Sequence, residues 1–151
     1  MAGLLAEAGA DSIGLSDTTG YANPTQIKRM FRRLRSEIGA EKMAGAHLHN
    51  TRGQGLANGV AALEVDGTTF DASLGGLGGC PYAPGATGNI VTEDLVFMLE
   101  AMGLRTGVDV DALITAREVL LHGLPDEMIY GSLPEVGLPK GFTYAKARGP
   151  T

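Results

Sequence analysis

Fifteen consecutive residues, Gly75 to Asn89, hold six glycines, two prolines and the one cysteine of the chain. Neither a regular helix nor a regular strand tolerates that composition, because glycine adds backbone entropy and proline removes a donor. The stretch must be a loop, and a Gly-rich loop of this length in a compact domain is either functional or disordered. Apolar periodic segments flank it closely on both sides, which argues for an ordered active-site loop.

A domain able to carry such a loop needs a core. At 151 residues, with 44% hydrophobic and 19% charged residues, the chain has enough for one globular domain. The formal net charge of −5 gives no reason to expect nucleic acid or an anionic membrane as partner. No apolar run approaches the roughly 20 residues that a membrane-spanning helix requires. The start, Met1-Ala2-Gly3-Leu4-Leu5-Ala6-Glu7, has no basic region and an early acid, so no signal peptide is expected. A single cysteine precludes an internal disulfide and fits a reducing compartment. The expectation is a cytoplasmic, soluble protein with no nucleic-acid or membrane partner.

Periodicity divides the chain into alternating elements. Residues 2–9 read as the end of a helix closed by Gly9. Asp11 to Thr18 alternates Ile13 and Leu15 and reads as a strand that finishes at Asp17-Thr18-Thr19-Gly20. Asn23 before Pro24 is a helix start, and Ile27, Met30, Phe31, Leu34 and Ile38 then form one apolar face. The basic residues Lys28, Arg29, Arg32, Arg33 and Arg35 lie mostly on the other faces, a solvated surface before it is an anion site. Lys42 to His49 reads as a second strand, Gln54 to about Glu64 as a helix, and Thr68 to Ser73 as a third strand. A helix from Thr92 ends near Gly103, and another covers about Val110 to Leu121 with Asp109 or Asp111 as its cap. Residues 1–122 would form the domain, and 123–151, rich in glycine and proline, a tail. Such alternation implies an α/β fold of parallel strands joined by right-handed crossovers.

The polar residues of interest fall where strands end. Asp17, His47, His49 and Cys80 would therefore gather at one edge, either the C-terminal face of a (β/α) barrel or the crevice of a doubly wound sheet. His47 and His49 are two apart on a strand, so both imidazoles share a face and can reach one cation. The alternative is a hydrogen-bonded histidine pair. A catalytic cation would need further oxygen ligands, for which Asp17 and Asn89 are candidates. A lone cysteine is usually a buried small hydrophobe, but Cys80, between Gly79 and Pro81, reads as a nucleophile or proton donor. Asp17 is a base, a ligand partner or a helix-entry residue. The glycines match neither a P-loop nor a dinucleotide fingerprint.

Three separated motifs carry a resemblance. Gly76-Leu77-Gly78-Gly79-Cys80-Pro81-Tyr82-Ala83, then Gly85-Ala86-Thr87-Gly88-Asn89 and Thr92-Glu93-Asp94-Leu95-Val96, resembles the signature loop of the 3-hydroxy-3-methylglutaryl-CoA lyase family. His47-Leu48-His49-Asn50-Thr51, with Gly53-Gln54 and Leu56-Ala57-Asn58, resembles its metal-binding strand and following helix. Ser16-Asp17-Thr18-Thr19-Gly20 resembles another of its strand ends. The resemblance spans about residues 3–115 and implies the C-terminal half of a (β/α)₈ TIM barrel. It implies a retro-Claisen cleavage of an acyl-CoA substrate to acetyl-CoA and acetoacetate. A divalent cation, Mg²⁺ or Mn²⁺, would be held by His47, His49 and Asn89, Asp17 and His47 would take part in proton transfer, and Cys80 would be the acid near the enolate.

Two departures from the family stand out. Where its members usually continue His-Asp-Thr-Tyr, this chain has His49-Asn50-Thr51-Arg52, exchanging a carboxylate for an amide and adding a cation beside the site. The N-terminal strand with an Arg-Asp pair has no counterpart, since no Arg-Asp-Gly-Leu-Gln motif occurs. Half a barrel leaves strand edges unpaired, so a homo-oligomer or a missing N-terminal half is expected to complete it. The alternatives are a non-catalytic half-barrel that binds metal or oligomerises, or a lyase for a related 3-hydroxy-3-alkylglutaryl-CoA, since nothing in the residues fixes the alkyl pocket.

Overall fold

The computed structural model describes residues 1–79 and 88–146. Helix and strand alternate as the periodicity predicts: α1 (Ala2–Glu7), β1 (Ile13–Asp17), α2 (Pro24–Ile38), β2 (Met43–Leu48), α3 (Gly55–Leu63) and β3 (Phe70–Asp71). A single 3₁₀ turn, Leu74–Gly76, is followed by α4 (Thr92–Ala101), α5 (Val110–Gly123) and the short α6 (Leu133–Val136). The three strands form one parallel sheet in the order β1-β2-β3, with a helix between each consecutive pair. This is the α/β half-barrel pattern.

Local chemistry accounts for the element boundaries. Asn23 caps α2 by accepting the N–H of Gln26, whose side chain returns to accept the N–H of Asn23, and Pro24 opens the helix. Asp109 caps α5 through the N–H of Ala112. Strand β3 is shorter than the Thr68–Ser73 run predicted, because from Ser73 the backbone pairs with Val91 instead.

The chain divides into two compact units. The first comprises residues 1–72 and 78–90, and its core is the buried stripe Ile27, Phe31, Leu34 and Ile38 of α2 together with Ala46, Leu48, Ala61, Ala62, Val65 and Ile90. Met30, expected on that stripe, is 44% exposed. It sits one position aside of the i, i+4, i+7 row and lines an open groove with Met1, Leu5 and Ile13. Strand β2 is the centre of the sheet, and Gly45 lets its neighbour come close: a Cβ there would strike the Thr69 carbonyl.

The second unit comprises residues 73–77 and 91–151. Val96, Val110 and Leu133 form its core, with Phe97, Leu113, Ile114 and Leu138 packed around them. Glu93, fully buried, accepts a bond from Arg117 at 2.8 Å and both its oxygens accept the Gly75 N–H. Arg117 donates to the Tyr130 carbonyl at 2.7 Å, and the Tyr130 N–H donates to the Gly75 carbonyl at 2.8 Å. Gly75 itself has φ +63, and an added Cβ would strike Ile129, so only glycine fits. Glu100 does a similar job at the other end of α4. Its buried carboxylate accepts the N–H and hydroxyl of Thr106 at 2.5 and 2.6 Å and the Ala145 N–H at 2.8 Å, tying the 106–108 loop and the chain near Ala145 to one point.

Two stability predictions follow from these contacts. Gly45→Ala should lower the unfolding free energy by about 1–3 kcal/mol in urea denaturation, since the added methyl overpacks the β2–β3 approach. Glu100 is held below its ordinary value of 4.5, chiefly by the Thr106 hydroxyl and against the opposing effect of burial, with backbone N–H groups of Thr106, Ala145 and Gly107 assisting. Its contribution is therefore complete above pH 4.5 and lost as pH falls through the lowered folded value. Glu100→Gln should cost about 1–3 kcal/mol at neutral pH, and the gap between wild type and variant should close when the denaturation series is carried into acid.

Candidate active site

The parallel register decides which strand-end residues meet. Ser16 pairs with His47, Asp17 with Leu48, and His47 with Asp71. Beyond β2 the backbone continues into an antiparallel bridge between His49 and Asn89. Hydrogen bonds from Asn50 N–H to the Gly88 carbonyl and from Ile90 N–H to the Leu48 carbonyl, both 3.2 Å, hold residues 88–90 alongside 48–50. The end of the glycine-rich stretch is thus fastened next to the second histidine. Its near side reaches the same place: Gly78, at φ +103, passes so close to Asn89 that a Cβ would lie 2.8 Å from the amide nitrogen.

The two imidazoles share a face, as their spacing requires. Their Nε2 atoms are 3.2 Å apart, with ring centroids at 5.1 Å and the planes inclined at 69°. His49 is buried at 4% exposure, while His47 is half-buried. A direct hydrogen bond fits that distance if one ring carries its proton on Nε2. Two nitrogens 3.2 Å apart also suit adjacent positions around one cation, where each bond is about 2.1 Å long. Asn89, bridged to His49, is an oxygen donor placed beside the pair by backbone bonds. Among the described residues no group of three histidine, cysteine, aspartate or glutamate side chains gathers at metal-binding spacing. The donor set to be considered is accordingly two imidazoles and an amide, and the residues present fit such a site.

Asp71 escaped the sequence reading. Its Oδ2 is 3.6 Å from His47 Nδ1, an ion-pair rather than hydrogen-bond distance, on the side of the ring opposite His49. A carboxylate behind a ligating histidine orients the ring and raises its basicity. The signal was the register, His47 opposite Asp71, which the residues alone do not reveal.

Asp17 is level with the histidine strand but one residue out of step with it, opposite Leu48. Its carboxylate organises the β1–α2 loop: Oδ1 accepts the Tyr21 N–H at 3.0 Å and Oδ2 the Ala22 N–H at 3.1 Å. The helix-entry role is the one the geometry displays. Asn58, fully buried on α3, supports the same loop by donating from Nδ2 to the Ala22 carbonyl at 3.0 Å. Gly20, at φ +61, lies against Thr51, where a Cβ would come within 2.8 Å of its side chain, so the β1–α2 and β2–α3 loops interlock. Cys80 lies outside the described residues.

Comparison with known proteins identifies the family and the fold. The HMGL-like family model matches residues 1–120. A hydroxymethylglutaryl-CoA lyase of Bacillus subtilis is 48% identical over 112 residues, 74% of this chain and 37% of that protein. An (R)-citramalyl-CoA lyase of Chloroflexus aurantiacus is 49% identical over 112 residues, 74% of this chain and 35% of that protein. The solved structure of an HMG-CoA lyase from Acinetobacter baumannii, in complex with coenzyme A and 3-methylmalate, superposes with a TM-score of 0.83 at 47% identity. That match covers 92% of this chain and 45% of that one. The chain therefore spans about a third of the length of these curated relatives. With a family model covering most of its residues and relatives that are lyases, the chain belongs to the HMGL-like family.

Proposed function

We propose that this chain is the histidine-bearing half of a divalent-metal-dependent acyl-CoA lyase that cleaves 3-hydroxy-3-methylglutaryl-CoA to acetyl-CoA and acetoacetate. Residues 1–122 form the lyase portion in this reading, and 123–151 its tail. The observation that carries it is the pair of Nε2 atoms 3.2 Å apart at a strand end, with Asn89 bridged beside them. His47, His49 and Asn89 would hold Mg²⁺ or Mn²⁺. When bound, the cation supplies charge that lowers the pKa of the substrate's 3-hydroxyl.

The chain's own residues handle the protons. In this reading His47 takes part in moving the hydroxyl proton, supported by the Asp71 carboxylate 3.6 Å from its Nδ1. The C2–C3 bond then breaks, its electron pair passes to the thioester enolate, and the hydroxyl carbon becomes the ketone of acetoacetate. Cys80 delivers a proton to the enolate carbon to give acetyl-CoA. Asp17 contributes to proton transfer from the neighbouring strand, though its engagement with Tyr21 and Ala22 supports a loop-holding role more directly than a proton-carrying one. A second copy of the chain, or an N-terminal half, would complete the barrel.

The acyl group is open to a second reading. A citramalyl-CoA lyase is as similar to this chain as a hydroxymethylglutaryl-CoA lyase, at 49% against 48% identity. Both are cleavages of a 3-hydroxyacyl-CoA, so the assay should offer both thioesters. The full chain, given Mg²⁺ or Mn²⁺, is expected to release acetyl-CoA from one of them. His47→Ala and Cys80→Ser should each reduce turnover by about a hundredfold or more, the usual scale for losing a general acid or base. No cleavage of either thioester at any chain concentration would leave only the non-catalytic reading, a half-barrel that binds metal or oligomerises.

A further inference from the structure

Arg52 lies on the loop between β2 and α3, beside the β1–α2 loop. Its guanidinium lies over the Tyr21 ring, 4.1 Å from the centroid, and its Nη1 donates to the Thr19 carbonyl at 3.3 Å. Tyr21 is itself fixed, since its N–H is bound by Asp17 and the next residue is held by Asp17 and Asn58. Gly20 and Thr51 lock the two loops against each other. The arginine is exposed, yet it is held at both its face and its edge.

Charge makes this arrangement informative. Arg33, Arg35 and Arg117 each have a carboxylate partner, whereas among the described residues Arg52 has none within ion-pair distance. Among the described residues Arg29, Arg32 and Arg105 also lack one, but none of the three lies over an aromatic ring. Holding the loops together needs only a neutral donor. A guanidinium has five N–H groups, and one suffices for Thr19, so a fork of donors is left pre-oriented. It lies in the β2–α3 loop, three residues after His49, at the C-terminal edge of the sheet in a chain with net charge −5. A fixed cation there offers an anionic ligand a local attraction against the general repulsion.

We propose that Arg52 is an oxyanion-binding residue at the mouth of the histidine edge, taking a carboxylate or phosphate of the acyl-CoA substrate. The assignment deepens the lyase reading and rests on it for the identity of the anion. Coenzyme A supplies phosphates, and the acyl portion supplies a carboxylate, so the two sources can be tested separately. The probes are coenzyme A alone and 3-methylmalate alone, each titrated calorimetrically into the full chain with Mg²⁺ present.

Arg52→Gln should weaken one of the two probes by about tenfold or more, the scale of one charge-assisted contact, and the probe affected identifies the anion. Arg52→Lys should fall between wild type and Arg52→Gln. In the cleavage assay the loss should appear in KM, with kcat largely retained. Binding of both probes by Arg52→Gln as tightly as by wild type overturns the proposal, and so does a wild type that binds neither. A lowered melting midpoint with unchanged affinities also overturns it, because Arg52 is then only a clamp between loops. A wild type that binds through Arg52 but cleaves no thioester refutes the lyase reading and leaves the anion site standing. Cleavage indifferent to Arg52, with probe affinities unchanged, does the reverse.

Discussion

Strand β2 is hydrogen-bonded on both sides, and everything at the candidate site depends on that placement. Parallel pairing sends all three strand ends to one edge, so residues far apart in the chain arrive at a common level. Period-2 alternation then puts His47 and His49 on one face, while the register brings Asp71 behind the first ring. The same geometry demands close approach, which is why Gly45 lies against the Thr69 carbonyl. A slip of one residue would turn both imidazoles to the opposite face and dissolve the site.

The described residues on either side of 80–87 meet this edge through the backbone. Residues 88–90 run along 48–50, and Gly78 passes against the Asn89 amide. Glycine is required at position 78 because a side chain would occupy the space the amide needs and because φ +103 suits no other residue well. In the second unit another glycine, Gly75, has the same relation to a buried acid: its N–H satisfies Glu93, whose charge is met by Arg117. Removing one member of such a buried pair leaves an uncompensated charge. Gly78 is thus defined by the Asn89 amide, and Gly75 by its positive φ and the close approach of Ile129.

Much of this was legible from the residues, and for stated physical reasons. Alternating apolar periodicity marked β1, β2 and the helices between them, and Asn23-Pro24 and Asp109 announced helix starts that the caps bear out. The His-X-His spacing announced a shared face, which the Nε2 separation displays. Other features depend on contacts distant in sequence. The Asp71 partner needed the register, and the exposure of Met30 needed the helix's exact orientation on the sheet. Asn58 appeared in a motif, but its bond to the Ala22 carbonyl, 36 residues away, was invisible without the fold. Asp17 shows the same limit, since its two backbone partners belong to a turn whose shape no spacing rule specifies.

The central claim is that His47 and His49 together form one cation site. The chain's third histidine, His122, lies on α5, where its Nδ1–H donates to the Glu118 carbonyl one turn back at 2.7 Å, so it serves as an internal reference. Imidazole resonances of all three histidines should be followed by NMR during a Mn²⁺ titration of the full chain. The account predicts that His47 and His49 broaden together at low metal while His122 persists. Equal broadening of all three, or none of the strand pair, would contradict it.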